Sequence, residues 1–314
     1  LSSDRGNVKI GLVTAGTAGT AGAVSIAATN GTINEVTNDA SAKVIGNTLT
    51  LTAGTGIGTS TTLDVNVNTV TLATSATGGI VLNLLGDQVV ANGLAANHAV
   101  TVTSADASTS GNIVLTATTG SGLKTYTSLD TNAGSIAVTA TLGSIKIGTI
   151  TSGTGLTANT VSVTATAGSI NEVTDNAVAK IIGSALTLSA STGIGDATAL
   201  DVNVTTVTSA ASATGGITLN LLGDAVAANG ISADHAVTVS SAVASTSGNI
   251  VLTATTGSGL KTYTSLDTNA GSISATATLG NIQIGTITSG TGGTANTVSI
   301  EATAGAIDDA DATD

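Results

Sequence analysis

The chain repeats itself at a fixed interval, which carries Gly6 onto Gly143 and Gly143 onto Gly280. The segment Gly6-Asn-Val-Lys-Ile-Gly11 returns as Gly143-Ser-Ile-Lys-Ile-Gly148 and as Gly280-Asn-Ile-Gln-Ile-Gly285, without insertion or deletion. A long repeat without gaps is typical of units that stack on one another in register. We therefore predict one continuous solenoid. Its parts are an edge (1–5), two full copies (6–142 and 143–279) and a partial third copy with an acidic end (280–314).

Short runs of alternating apolar and polar residues fill each copy. Examples are Val24-Ser-Ile26, Leu49-Thr-Leu51 and Val100-Thr-Val102. A period of two with β-branched residues predicts strands, and the glycines that close the runs permit sharp corners. Short strands with glycine corners favour a parallel β-helix, that is, a β-solenoid, over hairpins. We expect about five coils per repeat, each of roughly 27 residues, with six or seven shorter coils as the alternative.

The composition fits narrow, stacked coils. The chain has 40 glycines and 2 tyrosines, but no proline, cysteine, methionine, tryptophan or phenylalanine. The core must therefore consist of Ile, Val, Leu and Ala, and a disulfide framework or thiolate metal site is excluded. The net charge of −12 disfavours nucleic acid as a partner. No apolar run reaches about 18 residues, so no membrane insertion is expected.

Several phrases resemble a known family. Gly46-Asn-Thr-Leu-Thr-Leu-Thr-Ala-Gly-Thr-Gly-Ile-Gly-Thr59, Leu63-Asp-Val-Asn-Val67 and Ile113-Val-Leu-Thr-Ala-Thr-Thr-Gly120 are similar to repeats of filamentous-haemagglutinin-type large exoproteins of Gram-negative bacteria. The resemblance extends from Gly6 to about Ile307. It implies a right-handed parallel β-helix, secretion to the cell surface, and a role in adhesion or extracellular fibres. The chain starts without methionine, so we expect a processed product or a segment of a longer protein.

Acidic residues recur with the repeat and are the first candidates for a site. They could act as paired carboxylates in acid–base catalysis or as calcium ligands, but we favour a set of solvated surface charges copied by duplication. These residues are Glu35, Asp64, Asp87 and Asp130 in the first copy and Glu172, Asp201, Asp224 and Asp267 in the second. No cofactor other than calcium is predicted. The acidic end adds four candidate calcium ligands, Asp308, Asp309, Asp311 and Asp314.

Histidine and tyrosine each occur once per full copy. His98 and His235 would lie several coils apart, so they cannot share a metal, and we expect them at the surface. Tyr126 and Tyr263 each follow a lysine by two positions. Two predictions stay open for them: a sugar-stacking glycan contact, or a ring that covers a strand from outside.

Threonine pairs such as Thr101-Val-Thr103 and Thr139-Ala-Thr141 would suit an ice-binding face if they fell at one coil position, but their intervals vary. The 7 basic residues are too scattered for a polysaccharide-active β-helix enzyme, so no enzyme is predicted. The leading hypothesis is a structural segment of a secreted bacterial cell-surface protein. Its partner would be itself, end to end or laterally, in a rod or fibre. The alternative is an adhesin module that recognises glycan, or a host or abiotic surface, through its Thr/Asn-rich face.

Overall fold

The computed structural model describes residues 1–16, 18–196, 198–290, 293 and 296–310. These residues form parallel strands wound into a β-solenoid of about 13 turns, which confirms the predicted fold class. The chain divides into two units, Leu1–Gly155 and Leu156–Asp314, which are described separately. The described residues contain no helix with the length and hydropathy that crossing a bilayer requires.

The described residues of unit 1 form fifteen strands and one short 3₁₀ helix, Val90–Asn92. The strands are β1 (Ser2–Ser3), β2 (Val8–Ile10), β3 (Val13–Thr14), β4 (Ala23–Ala28), β5 (Thr32–Glu35), β6 (Val44–Ala53), β7 (Gly56–Ile57), β8 (Leu63–Ser75), β9 (Ile80–Leu84), β10 (Val100–Val102), β11 (Ala105–Ala107), β12 (Ile113–Ala117), β13 (Lys124–Thr131), β14 (Ile136–Ala140) and β15 (Ile145–Ser152).

Two main rows of paired strands run through unit 1. In row A, in-register residues on successive turns are Val24, Leu49, Val70, Val102, Tyr126 and Ile147. In row B they are Val8, Ile33, Ile57, Ile80, Ile113 and Ile136. A shorter third row joins Val13, Val44, Val65 and Leu84. The inward side chains stack on their equivalents in the next turn, so medium-sized aliphatic residues fill the interior.

Successive turns differ in length. Asn68 donates a hydrogen bond to Asn47 across a short turn of 21 residues, whereas Ser110 donates to the Thr77 carbonyl across a long turn of 33 residues. The long turn holds an excursion that contains the 3₁₀ helix, and Gly93 ends this helix in the left-handed region at φ 71°. The alternation pattern of the strands gives no sign of this excursion.

Unit 2 contains fourteen strands and the 3₁₀ helix Ala227–Asn229 in its described part. The strands are β16 (Thr160–Ala165), β17 (Ser169–Glu172), β18 (Ile181–Ala190), β19 (Gly193–Ile194), β20 (Leu200–Ser212), β21 (Ile217–Leu221), β22 (Val237–Val239), β23 (Ala242–Ala244), β24 (Ile250–Ala254), β25 (Lys261–Thr268), β26 (Ile273–Ala277), β27 (Ile282–Ser289), β28 (Val298–Ala302) and β29 (Ile307–Asp309).

Two main rows also organise unit 2. Row C joins Val161, Leu186, Val207, Val239, Tyr263 and Ile284. Row D joins Ile170, Ile194, Ile217, Ile250, Ile273 and Val298. The two units therefore use the same stacking principle.

The sequence repeat spans five and a half turns. In unit 1, Val8 begins row B, but Ile145, its counterpart in the next copy, pairs with Lys124 in row A. Unit 2 shows the same shift by itself: Val161 begins row C, and Val298, its counterpart in the next copy, ends row D. The expected five coils are therefore close to the observed winding, which adds a half turn.

Candidate functional site

Two of the recurring acidic residues in each copy are buried, which corrects the expectation that they are solvated. Glu35 is 2% exposed and Asp64 is 4% exposed, and their counterparts Glu172 and Asp201 are each 4% exposed. Burial raises the pKa of Glu35, and the Asp64 carboxylate raises it further. The Asp64 backbone N–H and Lys43 offset part of this rise in pKa. Neither carboxylate oxygen of Glu35 or of Glu172 makes a hydrogen bond of ordinary geometry.

A lysine beside these carboxylates compensates part of the negative charge. Lys43 Nζ donates to Asp39 Oδ1 at 2.7 Å, and this bond raises the pKa of Lys43 and holds the pKa of Asp39 far below its ordinary value. In unit 2, Lys180 donates to the Asn176 amide oxygen instead. The neighbouring Asp175 supplies the negative charge there, because it contributes to the raised pKa of Glu172.

The remaining recurring aspartates stand apart from this cluster. Asp87 and Asp224 are exposed, and Asp130 and Asp267 are partly buried on β13 and β25. Burial raises the pKa of Asp130, with a further contribution from Asp106 on the neighbouring strand β11. Asp130 therefore faces a second carboxylate, whereas its counterpart Asp267 faces Val243 in unit 2.

The acidic end gives no support to a calcium site in the part that the structure describes. Asp308 and Asp309 are exposed on β29, and Asp311 and Asp314 lie outside the described residues. Among the described residues, no group of three or more His, Asp or Glu side chains is placed to hold a metal ion.

Tyr126 and Tyr263 are not available for the predicted glycan contact. Both side chains are fully buried, because each continues an inward-facing stack, Tyr126 after Val102 and Tyr263 after Val239. Their hydroxyl groups have no hydrogen-bond partner, and burial raises the pKa of both. The predicted surface tyrosines are therefore core residues.

The lysines two positions earlier are also buried. Lys124 Nζ donates to the backbone carbonyls of Gly120 at 2.9 Å and Gly122 at 2.7 Å, and burial lowers its pKa. Lys261 repeats this arrangement in unit 2. The expectation of a purely Ile, Val, Leu and Ala core is therefore wrong at the tyrosine and lysine positions.

Each histidine packs against backbone carbonyls at the surface, as expected. His98 is partly exposed, with Nδ1 3.0 Å from the Ala95 oxygen and Nε2 3.3 Å from the Val67 oxygen. His235 makes the equivalent contacts with Ser232 and Val204. Each histidine thus fastens an excursion to the strand before it.

Threonines occupy the same coil position on successive turns, although their spacing in the sequence varies. This finding corrects the reason given against an ice-binding face. Thr48, Thr69, Thr101 and Thr125 stand in register on four successive turns. The next partner in this file is Lys146. An outward file beside it passes through Asp106 and Asp130. The threonine array is therefore bounded by charged side chains.

A polar groove extends over successive turns of unit 1 and has a volume of about 430 Å³. Asp64 pairs with Asn83 on the next strand, and Asn83 pairs with Thr116 on the strand after that. The lining residues are Asn38, Asp39, Ala40, Thr62, Asp64, Asn83, Thr116 and Thr118. This surface carries carboxylate, amide and hydroxyl groups in a file along the coil axis.

Hydrogen bonds fix the central amide of this groove at both ends. Asn83 Nδ2 donates to Asp64 Oδ1 at 2.6 Å, and Asn83 Oδ1 accepts a hydrogen bond from Thr118 Oγ1 at 2.8 Å. Burial raises the pKa of Asp64, while the bond from Asn83 and the charge of Lys43 lower it. The groove therefore has an ordered polar surface before any ligand binds.

Unit 2 contains a matching groove of about 270 Å³. Asn220 donates to Asp201 at 2.7 Å and accepts a hydrogen bond from Thr255 at 3.0 Å. The lining residues are Asp175, Asn176, Ala177, Ala199, Asp201, Asn220, Thr253 and Thr255. We refer to these two surfaces as the unit 1 groove and the unit 2 groove.

The sequence does not single out the groove residues other than Asp64 and Asp201. Asp64 and Asn83 are 19 residues apart, and Asn83 and Thr118 are 35 residues apart. These spacings become neighbours only through turns of unequal length. The copying of Asn83 and Thr118 as Asn220 and Thr255 is the one available sign, and it is shared with every other repeated residue.

No family model, curated protein or solved structure matches the chain.

Proposed function

We propose that this chain is a structural segment of a secreted bacterial cell-surface protein, in which stacked coils and repeats form a rod or extracellular fibre. The supporting observation is the in-register stacking of buried aliphatic residues, such as Ile80 on Ile57 and Ile113 on Ile80. Such a fold extends by adding turns, each supported by the backbone ladder of its neighbour. Each added repeat would therefore lengthen the rod or fibre.

Self-association end to end is part of this proposal. Each turn supports the next by parallel strand pairing, as Ile273 on β26 does Val298 on β28. A strand edge favours the addition of another strand. The expected partner is a further coil of the same kind. The location at the cell surface rests on the resemblance to filamentous-haemagglutinin-type exoproteins.

Proteins with one, two and three tandem copies of the segment 6–142 test the structural role. At a spacing of about 4.8 Å per turn, each copy should lengthen the particle by about 26 Å in negative-stain electron microscopy. A length that does not increase with copy number would overturn the proposal. Antibodies against the chain should label intact source cells as strongly as permeabilised cells; labelling only after permeabilisation would refute the surface location.

The alternative of a recognition module has one observation in its favour, the ordered polar groove in each unit. The buried tyrosines give it no support.

A further inference from the structure

We propose that the unit 1 groove and the unit 2 groove each bind a neutral, polyhydroxylated ligand, that is, an uncharged segment of glycan. This inference does not depend on the proposed surface location or on fibre formation. It follows from the donors, acceptors and charges that line the grooves.

The lining excludes anionic ligands. The unit 1 groove contains two carboxylates, those of Asp39 and Asp64, and no cationic side chain. The nearby Lys43 is 5% exposed and its ammonium group is bonded to Asp39, so it does not offer a free cation. Phosphate, sulfate and uronic acid groups would therefore meet like charge.

The same lining suits hydroxyl groups, which donate and accept hydrogen bonds at one atom. Asp64 and Asn83 offer oxygen acceptors, the Thr116 hydroxyl group can donate and accept, and the Thr118 hydroxyl group, which donates to Asn83, can still accept. The bonds that Asn83 makes with Asp64 and Thr118 hold the amide in one orientation. Such preorganisation reduces the ordering cost of binding.

The groove also presents its polar groups at a regular spacing. Asp64, Asn83 and Thr116 are paired positions on adjacent strands, which lie about 4.8 Å apart. A linear chain of hydroxylated rings laid along the coil axis could contact successive turns through equivalent groups. A ligand of repeating structure fits this arrangement better than a compact one.

Unit 2 keeps these features while other groove residues change. Asp201, Asn220 and Thr255 reproduce the hydrogen-bonded series of unit 1. At the groove edge, Asn38-Asp39 of unit 1 corresponds to Asp175-Asn176 of unit 2. The order of the acidic and amide residues is reversed, and each edge carries one carboxylate. Thr62 of unit 1 is replaced by Ala199, so the unit 2 groove lacks one hydroxyl group. We therefore expect the unit 2 groove to bind the same ligand more weakly.

The test is isothermal titration calorimetry on the whole chain with five probes. Two are neutral β-linked oligosaccharides of glucose and of N-acetylglucosamine, and a third is an oligogalacturonide of the same length. The other two are a lysine oligopeptide and calcium chloride. We expect at least one neutral oligosaccharide to bind with a Kd on the order of 1 mM or tighter, and the oligogalacturonide not to bind.

Paired variants assign the binding to the grooves. Asn83→Ala with Asn220→Ala should weaken binding of the neutral oligosaccharide by about tenfold or more. Thr118→Val with Thr255→Val removes only hydroxyl groups, and a smaller loss is expected. The matched control is Thr125→Val with Thr262→Val, outward residues of β13 and β25 outside both grooves, which should bind like the parent chain.

Three results would overturn the inference. They are no binding of either neutral oligosaccharide, equal losses in the groove and control variants, and binding of the lysine peptide or calcium alone. Circular dichroism of each variant shows whether it is folded, and a folded groove variant with unchanged affinity counts against the site. The particle lengths of the tandem copies do not depend on these results, so the two proposals can fail separately.

Discussion

Tyr126 lies in register between Val102 of the preceding turn and Ile147 of the following turn, with its side chain fully buried. Its hydroxyl group enters the interior without a hydrogen-bond partner. The narrow interior thus accommodates an aromatic ring, at the cost of one unsatisfied polar group.

Replacing Tyr126 by phenylalanine should stabilise the chain. Removal of a buried hydroxyl group without a partner is expected to raise the free energy of unfolding by about 1 kcal/mol. Tyr126→Ala should instead lower it by about 3–5 kcal/mol, because a cavity remains. Urea denaturation followed by circular dichroism measures both, with Tyr263→Phe as the equivalent change in unit 2. A less stable Tyr126→Phe protein would contradict this prediction.

The buried glutamates should make the chain less stable as the pH rises. Burial raises the pKa of Glu35 and Glu172 above the ordinary value of 4.5, so the folded state retains protons that the unfolded state releases. This contribution to stability is present below about pH 4.5 and is lost as the pH passes through the raised pKa.

The double change Glu35→Gln with Glu172→Gln tests this pH dependence. The variant should unfold at a higher temperature than the parent at pH 7, and its melting temperature should fall less between pH 4 and pH 7. Asp87→Asn with Asp224→Asn changes exposed carboxylates and is the control. Parallel melting curves for the parent and the glutamine variant would show that the glutamates are not the source.

Close contacts between glycine corners on successive turns should make the substitution of some glycines destabilising. A Cβ added to Gly134 would lie 1.9 Å from the carbonyl oxygen of Gly111. Gly134→Ala is therefore expected to cost about 1–3 kcal/mol of stability. A Cβ on Gly11 would meet no atom within 4 Å, so Gly11→Ala should change stability by less than about 0.5 kcal/mol. Equal losses of stability in the two variants, measured by urea denaturation, would contradict this explanation.

Removal of one whole turn should preserve the fold. Deletion of residues 113–135 brings Ile136 onto Ile80 in row B and Ile147 onto Val102 in row A, so both rows keep their register. Deletion of residues 113–124 removes part of a turn and breaks that register. The first variant should keep the circular dichroism spectrum and cooperative melting of the parent, and the second should lose them. Similar spectra and melting curves for the two variants would contradict the row assignment.

The sequence predicts the fold class because alternation, glycine corners and a gap-free repeat all favour stacked coils. It does not predict which strands pair with each other, because short and long turns both occur within one repeat. For the same reason the grooves are missed, because Asp64, Asn83 and Thr118 meet across unequal turns. Tyr126 and Glu35 are expected outside because polar groups are usually solvated. Their strands, however, alternate in the phase that points them inward.

The half turn in each repeat has a consequence for how such chains can grow. One copy contains an odd number of half turns, so a strand copied once changes row, as Val8 and Ile145 do within unit 1. A strand copied twice would return to its original row. Gain or loss of a single copy would therefore move the strands of every following copy to the other row, together with their surface side chains. Gain or loss of a pair of copies would change only the length. In an array of this kind, selection could then act on whether the number of copies is odd or even, independently of any change in the amino acids.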